Sequence, residues 1–148
     1  MEETAKQYTF EDSLKSIETE NLLDRIFYRP IGYRIALLLA KTPITPNTIT
    51  IISIFIGVFA GILFFPQNIW INIAGFALLV IANILDCVDG QLARLTGIKS
   101  PIGRILDGLA GNLWFISIYI AIALRLSADF GAAVAWTAAT LSGLSNLI

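Results

Sequence analysis

The chain has 148 residues, of which 56% are hydrophobic and only 14% charged, and its formal net charge is −1. A soluble domain is about one quarter charged, so this composition indicates a membrane protein, and the near-neutral charge argues against a nucleic-acid-binding surface. Histidine is absent and cysteine occurs once, which excludes Ser-His-Asp hydrolysis, Cys-His chemistry, histidine-bearing zinc sites and an intrachain disulfide.

Residues 1–41 form a polar leader, because seven of the eleven acidic residues and six of the ten basic residues precede Thr42. Apolar residues recur at helical spacing through this leader, so we expect an amphipathic juxtamembrane region of one or two helices over residues 10–41 at the membrane surface. The basic residues expected to face headgroups are Arg25, Arg29, Arg34 and Lys41. A soluble amphipathic helix packed against protein is the alternative. The leader has no apolar core beside a basic start, which excludes a cleaved signal peptide.

A proline-rich breaker over residues 42–47 separates the leader from a long apolar region. Short polar turns divide this region into four predicted transmembrane helices, at about 48–65, 70–92, 102–124 and 131–148. Roughly 20 apolar residues cross the hydrocarbon core of a bilayer, so residues 42–148 are predicted to be a transmembrane region. The fold class is therefore an all-α polytopic membrane protein. Because the fourth apolar segment is still running at Ile148, we expect further helices beyond it.

Lysine and arginine placement predicts the orientation of these helices. The leader is basic, as is the loop after the second predicted span, whereas the turn at 66–68 has no basic residue and the 125–130 loop has only Arg125. Basic flanks stay in the cytoplasm. We therefore expect the N-terminus and the 94–104 loop on the cytoplasmic side, an even number of crossings apart.

Three aspartates lie at the predicted cytoplasmic ends of the second and third spans. An acid at the centre of a membrane helix costs about 2.5–3.5 kcal/mol on the insertion scale, so their presence calls for a purpose. Asp86 and Asp89 are three residues apart and share one helical face, and a hairpin would bring Asp107 level with them. Three converging carboxylates repel unless cations neutralise them. Hard oxygen ligands of this kind favour Mg²⁺, Mn²⁺ or Ca²⁺.

The surroundings of these aspartates suit a phosphate-bearing ligand. Gly90 and Ala93 leave the helix surface free of bulk, and Arg94, Lys99 and Arg104 add positive charge for a pyrophosphate. Two alternatives stay open. The acids are either interfacial partners of those three basic residues or members of an ion-transport relay.

The segment from Asp86 to Gly111 resembles the signature of the CDP-alcohol phosphotransferase (CDP-alcohol phosphatidyltransferase) family, which reads D-x2-D-G-x2-A-R-x8-G-x3-D-x3-D. Seven of its eight fixed positions are met at the right spacing, namely Asp86, Asp89, Gly90, Ala93, Arg94, Gly103 and Asp107. The Thr45-Pro46-Asn47 sequence, with Thr50, is also similar to the opening of the family's first helix. The resemblance covers about residues 20–148.

This resemblance implies a six-helix membrane homodimer that synthesises phospholipids, with its active site facing the cytoplasm. Such an enzyme transfers a phosphoalcohol group, such as phosphatidyl, from a CDP-alcohol to an acceptor alcohol and releases CMP. By similarity, Asp86, Asp89 and Asp107 would bind two divalent ions, Mg²⁺ or Mn²⁺, and Asp107 would be the remaining catalytic carboxylate. The substrate-binding residues implied by the resemblance are Gly90, Ala93, Arg94 and Gly103.

The eighth signature position departs from the family pattern, because Gly111 stands where the family has a fourth aspartate that helps hold metal and acts as the presumed base. Asn112 follows it, but an amide does not accept a proton at neutral pH. Three interpretations remain: an active enzyme that uses another base or water, a catalytically impaired protein that binds CDP-lipid, or an engineered change. Loss of a general base typically costs about 10²–10⁴-fold in rate.

Small residues at helical spacing predict close helix packing in two places. One is the GxxxG pattern of Gly57 and Gly61, and the other is the pair Gly108 and Gly111.

Overall fold

The computed structural model describes residues 24–98 and 100–145, and every regular element in those ranges is helical. The all-α class is thus confirmed. A short π-helical segment, Asp24–Tyr28, leads into α1, and the expectations for residues 1–23, Lys99 and 146–148 lie outside the described residues. The α-helices are α1 (Arg29–Leu39), α2 (Pro46–Ile62), α3 (Ile69–Thr96), α4 (Pro101–Phe130) and α5 (Ala132–Ser145).

Local sequence signals set the ends of the long helices. The side-chain oxygens of Thr45, Asn68 and Ser100 each accept a hydrogen bond from a backbone N–H in the first turn of α2, α3 and α4. Such caps satisfy N–H groups that have no partner within the helix. After α3, Gly97 adopts a φ of 73°, a left-handed conformation that glycine adopts without strain. The chain can therefore reverse before α4 begins.

Helix α2 is the centre of the packing, because α3 and α4 both pack mainly on it. Close approach to α4 depends on two glycines of α2. A methyl group at Gly57 would overlap the indole of Trp114, and one at Gly61 would overlap the hydroxyl of Ser117. The packing role predicted for this GxxxG pattern is confirmed.

The second small-residue pair behaves differently from the prediction. A methyl group at Gly108 or at Gly111 would meet no atom within 4 Å among the described residues. The prediction that this pair packs against another helix is therefore wrong for the described residues. The reason is that α4 turns its buried face, with Ala110 and Trp114, towards α2 and α3, and the two glycines lie away from that contact.

Helix α1 packs along the part of α3 that carries the two signature aspartates. Gly32 allows this contact, because a methyl group there would overlap the side-chain oxygen of Gln91 and touch Cys87. A buried apolar cluster fills the junction of α1, α2 and α3, and it consists of Ala36, Ile49, Val88, Leu92 and Leu95. The leader thus ends in a helix that is fastened to the site-bearing helix.

Two helices, α3 and α4, are long and apolar enough to cross a membrane. Only 17% of the apolar window of α3 and 22% of that of α4 is buried, so these helices are not the enclosed core of a soluble protein. Large side chains such as Phe55, Phe59 and Phe76 are also exposed, as expected of a lipid-facing surface. Helices α2 and α5 are apolar but shorter. Two of the four predicted spans thus correspond to helices long and apolar enough to cross a membrane, and the crossing itself stays a prediction for all four.

Both long helices extend beyond their predicted ends, because hydropathy alone placed those ends at the first charged or polar residues. α3 continues through Arg94 to Thr96, and α4 continues through Arg125 to Phe130. Arg125 stays within the helix because its Nη1 donates to Asn72 Oδ1 at 3.0 Å and to the carbonyl oxygen of Phe64 at 3.5 Å.

Candidate functional site

The three signature aspartates converge where α3 and α4 approach the start of α2. Asp86 and Asp89 project from one face of α3, and Asp107 projects from the second turn of α4. One carboxylate oxygen from each lies within 4.8 Å of the other two. Burial is graded across the cluster: Asp89 is 3% exposed, Asp86 is half-buried and Asp107 is exposed. The hairpin geometry expected from the sequence therefore brings all three carboxylates together.

This cluster fits a divalent cation. Asp89 Oδ2 is buried and has no hydrogen-bond partner among the described residues. A buried carboxylate oxygen without a partner is costly unless a cation compensates it. Oxygens on opposite sides of one Mg²⁺ are about 4 Å apart, and paired ions in two-metal sites are about 3.5–4 Å apart. The spacing of the three carboxylates suits either arrangement.

A cavity of about 390 Å³ opens beside the cluster. It lies between the first turn of α2, the last turns of α3 and the first turns of α4. Its lining consists of Pro46, Asn47, Thr50, Asp89, Gly90, Ala93, Arg94, Ile98, Ser100, Gly103, Arg104 and Asp107. This volume is within the range of about 300–1,000 Å³ found for small-molecule sites.

All four residues predicted to bind substrate line this cavity, so the structure places them beside Asp89 and Asp107. Two of the small residues also make room for neighbouring side chains. A methyl group at Gly90 would lie 3.3 Å from Nη2 of Arg94, and one at Gly103 would overlap the side-chain oxygen of Asn47. Gly90 thus lets the Arg94 side chain fold back over its own helix.

Positive charge comes from two arginines at this cavity. Arg94 is half-buried and Arg104 is exposed, and both line it. Guanidinium groups suit phosphate oxygens, because their donors are arranged in a planar fork. The cavity therefore combines carboxylates that attract cations with cationic side chains that attract phosphate.

Sequence reasoning did not identify the contribution of α1 to the site. Arg29 was expected to face headgroups, but it is half-buried and near enough to Asp86 for electrostatic attraction. Gln91, which is fully buried, donates from Nε2 to the carbonyl oxygen of Arg29 at 3.1 Å. The available signal was a glutamine one turn from the apolar residues Val88 and Leu95, which calls for a buried partner.

Position 111 lies one turn beyond Asp107 on the same face of α4, and a Cβ there would meet no atom of the described residues within 4 Å. Asn112 does not fill this space, because its Nδ2 donates to the carbonyl oxygen of Gly108 at 2.9 Å. Within residues 24–98 and 100–145, no side chain thus occupies the fourth acidic position of the signature.

Comparison with known proteins gives a consistent result. The sequence model of the CDP-alcohol phosphatidyltransferase family matches residues 43–146. An archaetidylinositol phosphate synthase from Pyrococcus horikoshii is 41% identical over 91 residues, which are 62% of this chain and 47% of that protein. One from Aeropyrum pernix is 32% identical over 103 residues, covering 66% and 51%. A bifunctional IPC transferase and DIPP synthase from Aquifex aeolicus is 28% identical over 144 residues, covering 95% and 31%. The chain therefore spans about half or less of the length of these relatives.

Proposed function

The chain belongs to the CDP-alcohol phosphatidyltransferase family, and on this basis we propose that it transfers a phosphoalcohol group, such as phosphatidyl, from a CDP-alcohol to an acceptor alcohol. The observation that carries the proposal is the convergence of Asp86, Asp89 and Asp107 within 4.8 Å beside a cavity lined by two arginines. That combination suits a nucleotide diphosphate held through divalent ions, whereas an ion-transport relay needs neither the cavity nor the arginines.

The proposed reaction is a displacement at phosphorus. The acceptor hydroxyl oxygen forms a bond to the phosphorus that carries the donor alcohol. The bond from that phosphorus to the bridging oxygen of the pyrophosphate breaks, and CMP leaves with the electron pair. The hydroxyl proton passes to a base or to water.

We assign roles to this chain's residues as follows. Asp86, Asp89 and Asp107 would hold the metal, Mg²⁺ or Mn²⁺, with two ions as the proposed number. Bound divalent ions supply charge neutralisation of the phosphate oxygens and of the leaving group. Arg94 and Arg104 orient the phosphates from the cavity wall. The small residues Gly90, Ala93 and Gly103 leave room in the cavity for the nucleotide.

Proton removal is the weak step in this scheme, since position 111 lacks the carboxylate that the family signature places there. Asp107 is the nearest acidic group on α4, but it is engaged in the acidic cluster. We therefore propose a transferase whose turnover is limited by the loss of a base. Water or a group on the acceptor would take the proton.

The test is CMP release from a CDP-alcohol by the purified protein in lipid nanodiscs, with Mg²⁺ or Mn²⁺ and a panel of acceptor alcohols. The names of two relatives make a phosphorylated inositol the first acceptor to try and a CDP-linked archaeal lipid the first donor. Metal-dependent CMP release supports the proposal. Release that is no faster than in a protein-free control with every donor and acceptor overturns it.

A second candidate function rests on Gly111 itself. In this candidate, the protein binds CDP-lipid in the same cavity without turning it over. Metal-dependent binding of a CDP-alcohol together with background CMP release would favour this candidate.

The membrane arrangement completes the proposal. We propose that α2 and α5 also cross the bilayer, that the chain is part of a six-helix family fold, and that it forms a homodimer. We further propose that the cavity and the N-terminal leader face the cytoplasm. Accessibility of single cysteines introduced at Gly97 and at Gln67 to a membrane-impermeant thiol reagent tests the orientation, in a background where Cys87 is replaced by serine. The proposal requires labelling of these two turns from opposite sides.

A further inference from the structure

We propose that Asn47 and Ser100 form a latch between α2 and α4 that positions Asp107, and that residue 103 is glycine because the latch occupies the space of a side chain. The latch itself is a feature of the folded chain. Its consequence for ligand binding rests on the function proposed above.

The latch consists of two hydrogen bonds between residues 53 positions apart. Asn47 Nδ2 donates to Ser100 Oγ at 3.1 Å, and Ser100 Oγ donates to Asn47 Oδ1 at 3.2 Å. Ser100 Oγ also accepts from the backbone N–H of Gly103 at 2.9 Å, so it caps α4 at the same time. Both side chains line the cavity. One hydroxyl therefore joins the first turn of α2 to the first turn of α4.

Gly103 lies directly against the side chains of Asn47 and Ser100. A methyl group there would overlap Asn47 Oδ1 and would lie 2.9 Å from Ser100 Oγ. Both contacts are shorter than normal van der Waals separation, so an alanine at this position must displace the latch. The sequence resemblance assigned Gly103 to the nucleotide pocket, and the latch gives the same residue a different reason to be small.

The position of α4 explains why the latch matters to the site. α4 packs mainly on α2 rather than on α3, yet Asp107 has to meet Asp86 and Asp89 of α3. The contact between α2 and α4 therefore sets where Asp107 sits. Asp107 is seven residues from Ser100, or about 10 Å along the helix axis. A displacement of the first turn of α4 therefore displaces Asp107 by a similar distance, because a helix is stiff over that length.

The first experiment tests the latch without any ligand. Thermal unfolding is measured for Asn47→Ala, Ser100→Ala and the double variant in nanodiscs. The cycle removes the separate loss of the α4 cap, which Ser100→Ala causes in either background. We expect the double variant to unfold at nearly the same temperature as Ser100→Ala, and Ser100→Thr to behave like the wild type. Additive losses in the double variant would overturn the latch.

The second experiment separates the latch from direct nucleotide contact at residue 103. Mn²⁺ affinity in the presence of CMP is measured by calorimetry. We expect Gly103→Ala to weaken it roughly tenfold in the wild type, about the worth of one or two hydrogen bonds, and to add little in an Asn47→Ala background. An equal loss in both backgrounds would contradict the latch, because it would mean that the methyl group meets the ligand.

A matched control comes from the same helix. Gly108→Ala adds the same methyl group where no described atom lies within 4 Å, and we expect unchanged affinity. Failure of the wild-type protein to bind CMP with Mn²⁺ would count against the proposed function. In that case the unfolding cycle still decides the latch.

Discussion

Replacing Gly111 with aspartate restores the fourth acidic position of the signature, and the structure predicts that the side chain will fit. A Cβ at this position would meet no described atom within 4 Å. The new carboxylate would lie four residues from Asp107, which is about 6 Å along α4 and on the same face. It would thus extend the acidic cluster by one turn along α4 and supply the carboxylate that the family signature has at this position.

The expected increase in rate follows from what a general base contributes to proton transfer. A positioned general base accelerates proton transfer by about 10²–10⁴-fold. We therefore expect Gly111→Asp to raise the kcat for CMP release by at least about 100-fold, with a smaller change in KM for the CDP-alcohol. The assay is steady-state CMP release in nanodiscs at varied CDP-alcohol concentration with saturating Mn²⁺.

Gly108→Asp is the matched control, because it adds the same charge to the same helix at an equally open position. Residue 108 follows Asp107 directly and so points about 100° away from it around the helix. We expect no increase in kcat for this variant. A similar rate in both variants, or no change with Gly111→Asp, would refute the assignment of the missing base.

Three further outcomes follow from the packing and the site. Gly57→Ala should destabilise the protein by about 1–3 kcal/mol, because its methyl group overlaps the indole of Trp114. Thermal unfolding measures this loss with Gly108→Ala as the control, and equal melting temperatures of the two variants would contradict the prediction. Gln91→Ala should cost about 1–3 kcal/mol, because it removes the hydrogen bond to the Arg29 carbonyl, and α1 should become more sensitive to protease; an unchanged digestion pattern would argue against this docking role. Removing divalent ions with a chelator should lower the melting temperature, because the carboxylates then repel each other without compensation, and an unchanged melting temperature would argue against bound metal.

Much of the site could be predicted from the sequence because its residues fall within one short signature. Helical spacing puts Asp86 and Asp89 on one face, and a four-residue loop between two helices brings Asp107 back to them. Fixed spacing in consecutive helices is local information, so the pattern identifies the members of the acidic cluster, although the packing of α4 on α2 sets where Asp107 lies.

The contributions of Asn47, Ser100, Arg29 and Gln91 depend on how distant segments pack, and spacing does not encode that. Asn47 and Ser100 are 53 residues apart and meet only because α2 packs against α4. Helix ends were missed for a similar reason. Arg125 ended the predicted span as a charged residue, but its hydrogen bonds to Asn72 and the Phe64 carbonyl keep it within α4.

The GxxxG pattern shows both the use and the limit of small-residue signals. It correctly identified the α2 surface that α4 approaches, since Gly57 and Gly61 are buried there. The same reasoning predicted packing for Gly108 and Gly111, where a methyl group would meet no described atom within 4 Å. Only the packing distinguishes the two cases.

Calorimetric titration of Mn²⁺ into the nanodisc-embedded protein, with CMP present, tests the acidic cluster most directly. Saturable binding is expected for the wild type and for Asp129→Asn, whose exposed carboxylate lies at the far end of α4. Binding should be lost in Asp89→Asn, since that substitution removes the most buried carboxylate of the three. A wild-type protein that takes up no Mn²⁺, or an Asp89→Asn variant with an unchanged isotherm, would contradict the account.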